Sequence, residues 1–209
     1  MKKIAVLIFL LAVCAVAGRA QESRQDISVS GIGLIEPFVA SSTDVQVHSN
    51  WAYGGLLSYR FMLTPNSAIE ANYGITYQNT LHYIVGNTIN AHILTRTQEI
   101  SAAYVRSFTY RKFNPFVEAG PAAIIFLPIV NGGTNLKGAS QQTKVAGLFG
   151  AGIAYEISPS FDIRAEYRGL ITQVPNFGFG SGAGNYNLTT NRWYQPWISE
   201  PAIGVAYHF

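Results

Sequence analysis

Charge is scarce in this chain: Asp, Glu, Lys and Arg together make up 12% of 209 residues. The formal excess of base, +3, is smaller than it looks. Lys2, Lys3 and Arg19 lie in the first twenty positions, which hold no acid, so the rest carries eleven basic and eleven acidic side chains. The basic isoelectric point therefore reports the amino-terminal segment and gives no footing for nucleic acid. Cysteine is almost missing. Cys14 stands alone, inside that same segment, so the remainder has no disulfide, no thiolate ligand and no thiol nucleophile. A lipid-modified cysteine in "LAVC" is disfavoured by the bulk of Val13 where a small residue is wanted. Long apolar runs are missing as well. After residue 17 nothing approaches the roughly 20 apolar residues of a membrane-spanning helix.

The first segment has the build of a secretory signal peptide. Met1 to Lys3 form a basic start, Ile4 to Ala17 an apolar run, and Gly18 and Ala20 supply small residues at a cut. Cleavage is expected after Ala20, with Ala17 as the second choice. That leaves residues 1–20 as a leader and 21–209 as one domain with no linker.

What the rest does have is alternation. Aromatics reach 13% and glycine numbers 20. In "WAYGGLLSYRF", Trp51, Tyr53, Leu57, Tyr59 and Phe61 share one face and Ser58 and Arg60 the other. In "AIEANYGITYQ", Ile69, Tyr73, Ile75 and Tyr77 oppose Glu70, Asn72 and Thr76. In "FDIRAEYRG", Phe161, Ile163, Ala165 and Tyr167 oppose Asp162, Arg164, Glu166 and Arg168. This is the period of a strand with one apolar face. Five further segments repeat it with less contrast: Ile27 to Val39, Thr95 to Thr109, Pro115 to Leu127, Val145 to Glu156 and Trp197 to Phe209. Glu99, Ser101 and Ala103 are expected on the polar face, and Pro37 with the glycines near residue 31 is expected to mark a bulge. Each segment is about the 9–11 residues of a strand tilted across a bilayer.

Connections alternate in length. "LTPNS", "YRKFN" and "ISPS" are tight turns. Ser41 to Asn50, Asn79 to Leu94, Pro128 to Lys144 and Val174 to Pro196 read as long loops. Short turns on one side and long loops on the other are the habit of outer-membrane barrels. A soluble sandwich or lipocalin-like barrel shares the alternation. Aromatics crowd toward the strand ends on the apolar face, however, and the polar face mixes charges with Gly, Ala and Ser. Both features favour lipid outside and a packed lumen within. The expected fold is all-β, an eight-stranded antiparallel up-and-down transmembrane β-barrel. Its last strand, ending at Phe209, then pairs with both the seventh and the first, because an open edge in lipid leaves backbone groups unsatisfied.

"GVAYHF" looks like the carboxy-terminal signature of bacterial outer-membrane proteins, carried by Val205, Tyr207 and Phe209. "FVEAGPA" and "GLFGAGIAYEISPSFDIRAEYRG" are similar to the small OmpA-like outer-membrane β-barrel domain family. The resemblance covers the barrel and includes no peptidoglycan-binding domain, so cell-wall tethering is not carried over. It implies a bacterial outer-membrane location, contact with outer-membrane lipids and lipopolysaccharide, and handling by periplasmic chaperones and the barrel-assembly machinery. A monomer is expected.

A barrel of eight strands is filled by its own side chains or holds one small ligand. Arg60, Glu70, Glu99, Glu118, Lys144, Glu156, Arg164, Glu166 and Arg168 are expected to form a nearly neutral ion-pair network in the lumen, since an Arg facing lipid would cost ~2–4 kcal/mol at the midplane. A narrow pore gated by rearrangement of those pairs is the competing expectation. His48, His82, His92 and His208 do not have the sequence spacing of a metal site. No nucleophile is marked with its base, so no enzyme and no cofactor are expected. "GFGSGAGN" lacks the Lys-Ser/Thr ending of a phosphate loop. In the last loop Phe177, Phe179, Tyr186, Trp193 and Tyr194 are candidates for contact with an external partner, while Trp197 belongs to the interfacial girdle. Expected function is therefore structural, or adhesion through the loops; the alternative is a narrow pore or carrier for small solutes or hydrophobic molecules.

Overall fold

A computed structural model describes residues 24–36, 39–40, 45–85, 89–129, 134–135, 137–179 and 197–209. Eight long strands close into an antiparallel barrel: β1 (Gln25–Leu34), β4 (Ala52–Thr64), β5 (Ser67–Val85), β6 (Ile89–Ser107), β7 (Phe113–Pro128), β8 (Gln142–Ser158), β9 (Phe161–Thr172) and β10 (Trp197–His208). Two short strands, β2 (Val39–Ala40) and β3 (Val45–Ser49), extend the sheet beyond β5. Each long strand pairs with its sequence neighbour, and β1 closes the ring on β10 from Asp26↔His208 to Ile32↔Ala202. No edge is left along the lipid-facing wall, the condition the hydrocarbon imposes.

The faces follow the alternation. Val29, Tyr59, Tyr73, Tyr104, Ile163, Tyr167, Ile203 and Val205 point outward, while Ser28, Ser58, Asn72, Ser101, Arg164 and Ala206 are buried inside. At the end with tight turns, aromatic rings pair side by side: Phe113 with Tyr155 at 5.0 Å between centroids and Phe161 with Tyr207 at 5.0 Å. At the other end Trp51, Tyr53, Tyr77 and Trp197 are exposed, and Phe149 packs edge-on against Trp197 at 4.7 Å. These two bands sit where aromatic girdles meet the bilayer interfaces, so the tight-turn end is periplasmic. Small residues let the strands coil: a Cβ at Gly54 would collide with the carbonyl of Ile75, and one at Gly120 with that of Ala102.

Three sequence expectations change. β1 runs in unbroken register with β4, Gln25↔Phe61 through Leu34↔Ala52, so there is no bulge at Gly31, and Pro37 lies outside the described residues. The segment expected as a loop from Asn79 to Leu94 instead continues β5 and β6 well past the outer girdle. Ser41 to Asn50 likewise contains β3, which pairs with β5. The cause is a bulge between Thr76 and Asn79, where two residues on β5 oppose one on β6, one more than the ladder needs. It flips the parity: Glu70, Asn72 and Thr76 point inward below it, Asn79, Leu81 and Tyr83 above it. A single period of two therefore stops at Tyr77 although the strand does not.

Candidate functional site: the barrel lumen and its outer mouth

The lumen is filled in two layers. In the periplasmic half Arg60, Glu70, Glu99, Glu118, Arg164, Glu166 and Arg168 are all buried. Arg60 Nη2 lies 2.6 Å from Glu70 Oε2. Arg164 reaches Asp26 at 3.3 Å and Glu70 at 3.5 Å, and also donates to Ser28 Oγ. Arg168 sits among three carboxylates: Glu99 at 2.6 Å, Glu118 at 3.4 Å and Glu200 at 3.2 Å. Phe116 closes the base of this cluster, with the guanidinium of Arg60 at 4.8 Å and that of Arg164 at 5.7 Å from its ring centroid.

Two of the expected members lie elsewhere. Lys144 and Glu156 are partly exposed near opposite ends of β8, and Glu156 lines a polar vestibule of about 390 Å³ open to the periplasm, together with Asp162 and His208. Four others had not been included. Asp26, Glu200 and Asp162 are buried, and His208 Nε2 is 2.9 Å from Asp162 Oδ2. Parity held the signal for all four, since Glu200 and His208 share the inward face of β10 with Ala202 and Ala206, and Asp26 that of β1 with Ser28. The nearly neutral network is thereby corrected. Among the described residues seven buried carboxylates (Asp26, Glu70, Glu99, Glu118, Asp162, Glu166, Glu200) share the lumen with three buried guanidiniums. Uncompensated buried charge costs several kcal/mol per ion, and here the acids outnumber the guanidiniums that hold them.

The extracellular half is apolar. Leu34, Val47, Leu81, Tyr83, Ile93, Ile124, Phe126, Leu148, Leu170 and Ile198 pack into one cluster. Into its mouth drops Phe177, fully buried rather than presented to the outside, its ring 6.3 Å from Tyr83 and 6.5 Å from Phe126, both edge-on. Phe177 (φ 49°) and Gly178 (φ 89°) form the left-handed turn that aims it. That conformation costs a bulky residue roughly 1–2 kcal/mol, which burial of a Phe side chain, about 1.5–3 kcal/mol, offsets. The turn is tied down from three sides. Tyr83 Oη donates to Pro175 O at 2.6 Å, the amide of Ser140 donates to Phe177 O at 2.9 Å, and the Gln142 and Asn176 side-chain amides bond each other. Phe179 packs partly buried on the same cluster. Tyr186, Trp193 and Tyr194 lie outside the described residues.

Among the described residues the outer lumen holds two small voids. Under the plug is a void of about 20 Å³ lined by Glu36, Leu81, Phe126 and Pro175, and below it one of about 10 Å³ lined by Ile32, Ile124 and Leu170. Each is about the room of a single water. Glu36, beyond the end of β1, accepts a hydrogen bond from Asn79 Nδ2 at 3.0 Å. Burial raises its pKa to about 7, with the hydrogen bonds from Asn79 and Ser49 pulling the other way. At the barrel's far end Val205 and Tyr207 face outward, and the amide of Phe209 donates to Gln25 O at 3.0 Å.

Comparison with known proteins matches this architecture. The crystal structure of Neisserial surface protein A superposes with a TM-score of 0.59 at 15% identity, covering 90% of this chain and 98% of that one. OprG from Pseudomonas aeruginosa superposes with a TM-score of 0.59 at 12% identity, covering 90% and 97%. At such identities the likeness is one of fold. No curated protein matches the chain in sequence. A family model described as the outer membrane protein beta-barrel domain matches residues 5–209: the chain belongs to that family, and it resides in the bacterial outer membrane.

Proposed function

We propose that this protein is a closed, non-conducting barrel whose role is structural or interaction-based, exercised through the sheet that β3, β5 and β6 raise above the membrane. The observation that carries this reading is the pair of seals in series. Arg168 with its carboxylates fills the periplasmic half of the lumen, and Phe177 with its apolar cluster fills the outer half. No catalytic step belongs to it. Eight carboxylate and guanidinium side chains (Asp26, Arg60, Glu70, Glu99, Glu118, Arg164, Arg168 and Glu200) converge below in ion pairs with one another. Arg168, Arg164, Glu70 and Glu99 then serve as filling that fixes the barrel. The outward alternation of Val205 and Tyr207, ending in Phe209, supports recognition by the barrel-assembly machinery and periplasmic chaperones during export.

The deciding experiment is single-channel recording of the refolded chain in a planar bilayer, after an unboiled gel shows the compact form. Silence is the expected result. Discrete conductance steps that change on Arg168→Lys would make the protein a small channel. The apolar outer lumen favours one second reading, a carrier for hydrophobic molecules in which the segment carrying Phe177 swings aside. It predicts faster uptake of an apolar probe by vesicles holding Phe177→Ala, with no ionic current.

A further inference from the structure

Three of the four histidines in the chain fall on one line. Register places His48 on β3 opposite His82 on β5, and His82 opposite His92 on β6. Their neighbours Val47, Leu81, Tyr83, Ala91 and Ile93 are buried inside the barrel wall, so the three imidazoles stand on the outer face. They stand in water, since His92 lies four positions along β6 from Arg96, whose guanidinium lies 5.1 Å from the ring of Tyr77 in the outer girdle. At ~3.3 Å per residue that is about 13 Å along the strand beyond the interface. Sequence spacing gave no hint of this, because the row exists only through strand pairing.

Within the row, His82 and His92 meet with Nδ1 facing Nδ1 at 2.6 Å, their rings nearly perpendicular at 86° and 4.5 Å between centroids. Two lone pairs cannot face each other at that distance. Either one ring donates N–H to the other, or a cation takes the place of that proton. The neutral imidazole is the form that binds a metal. Two nitrogens bound tetrahedrally at ~2.0–2.1 Å are about 3.3 Å apart, so accepting an ion requires these two rings to part by roughly 0.7 Å. Among the described residues no three ligands already converge on one point. His48, exposed at the end of the row, stands on the strand beside His82, with Cβ atoms about 5 Å apart in such a pair, so a shared ion requires its ring to turn toward His82.

We propose that His48, His82 and His92 form an extracellular site for a divalent transition-metal ion of the zinc class, three imidazoles with a fourth position open to solvent. Imidazole ligands on adjacent strands suit Zn²⁺, Cu²⁺ or Ni²⁺, whereas the oxygen-seeking Ca²⁺ and Mg²⁺ find no carboxylate in the row. The fourth position leaves room for a donor from outside, which makes the raised sheet an adhesive surface that metal completes.

The test uses tag-free, refolded full-length mature protein in lipid nanodiscs, titrated calorimetrically with Zn²⁺. One ion per barrel is expected. His82→Ala and His92→Ala should each weaken binding by roughly tenfold or more, and His48→Ala by a comparable factor, with unboiled-gel mobility unchanged. Absence of saturable binding in the wild type overturns the site. So does binding that stays within about twofold of wild type in His82→Ala or His48→Ala, which would place the ion elsewhere. If the barrel of one variant does not refold, the exposed position 48 and the wild-type stoichiometry still decide.

Discussion

Replacing Arg168 by Met should be among the most damaging single changes available to this barrel. The guanidinium is fully buried, within 2.6 Å of Glu99, 3.2 Å of Glu200 and 3.4 Å of Glu118, and it donates to Ser101 Oγ at 3.2 Å. Methionine fills most of the stem's volume, so the loss is electrostatic rather than a cavity. Removing one partner of a buried pair costs about 3–5 kcal/mol; here three carboxylates lose the cation that, among the described residues, they share, and the upper end of that range applies. With a guanidinium chloride slope of ~4 kcal/mol/M, the midpoint should fall by about 1 M. Unfolding in nanodiscs, followed by tryptophan fluorescence and unboiled-gel mobility, measures it. Adding Glu99→Gln and Glu200→Gln to Arg168→Met should recover at least ~2 kcal/mol, because the neutral amides no longer repel and the coupling of touching groups is of that order. Arg168→Lys should recover little, since one ammonium cannot address three acids as the planar fork does. A midpoint within about 0.2 M of wild type for Arg168→Met, or equal losses with and without the two Gln changes, would refute the account. The lumen would then be wet enough to screen these charges.

Two further outcomes follow from the outer mouth. Phe177→Ala removes a ring buried against Tyr83 and Phe126 and should cost the cap about 3 kcal/mol. It should speed amide exchange at residues 79–85 while the planar bilayer stays silent, because the Arg168 layer still seals the barrel; current from this single change would show that the lower layer is no barrier. Glu36 gives a pH dependence. Its pKa in the folded state, about 7, stands above the ordinary 4.5, so the closed mouth holds a proton that the opened one releases. Stability of the mouth is therefore full below about pH 4.5 and declines as pH rises through 7, by at most ~3 kcal/mol and less where water reaches the carboxyl. Glu36→Gln should flatten exchange rates at residues 79–85, after correction for intrinsic exchange, between pH 5 and pH 8; an unchanged slope would assign the effect to another group.

Much of this protein was written locally. The alternation in "FDIRAEYRG" or "WAYGGLLSYRF" is a statement about which side chains meet lipid, and a strand has only two faces, so knowing one face gives the other. The alternating link lengths then order the strands, and backbone hydrogen bonding in hydrocarbon forces closure. For that reason the inward positions of Arg60, Glu70, Arg164 and Arg168 were legible, and Glu200 was legible too had the weaker alternation of "WISEPAIGVAYHF" been followed to its start. What sequence could not carry are quantities that depend on residues far apart in the chain. The bulge after Thr76 reverses parity within β5, and only pairing with β6 shows that the strand continues. Phe177 reads as an exposed loop aromatic until a left-handed turn and the empty mouth between Tyr83 and Phe126 place it inside. The split of the lumen into a charged lower layer and an apolar upper one comes from the heights at which eight strands are staggered. The histidine row arises in the same way, from register across β3, β5 and β6. Outside that bulge, local sequence determined which face each residue takes; pairing between distant strands decided which residues stand at the same height, and both the seal and the candidate metal site depend on height.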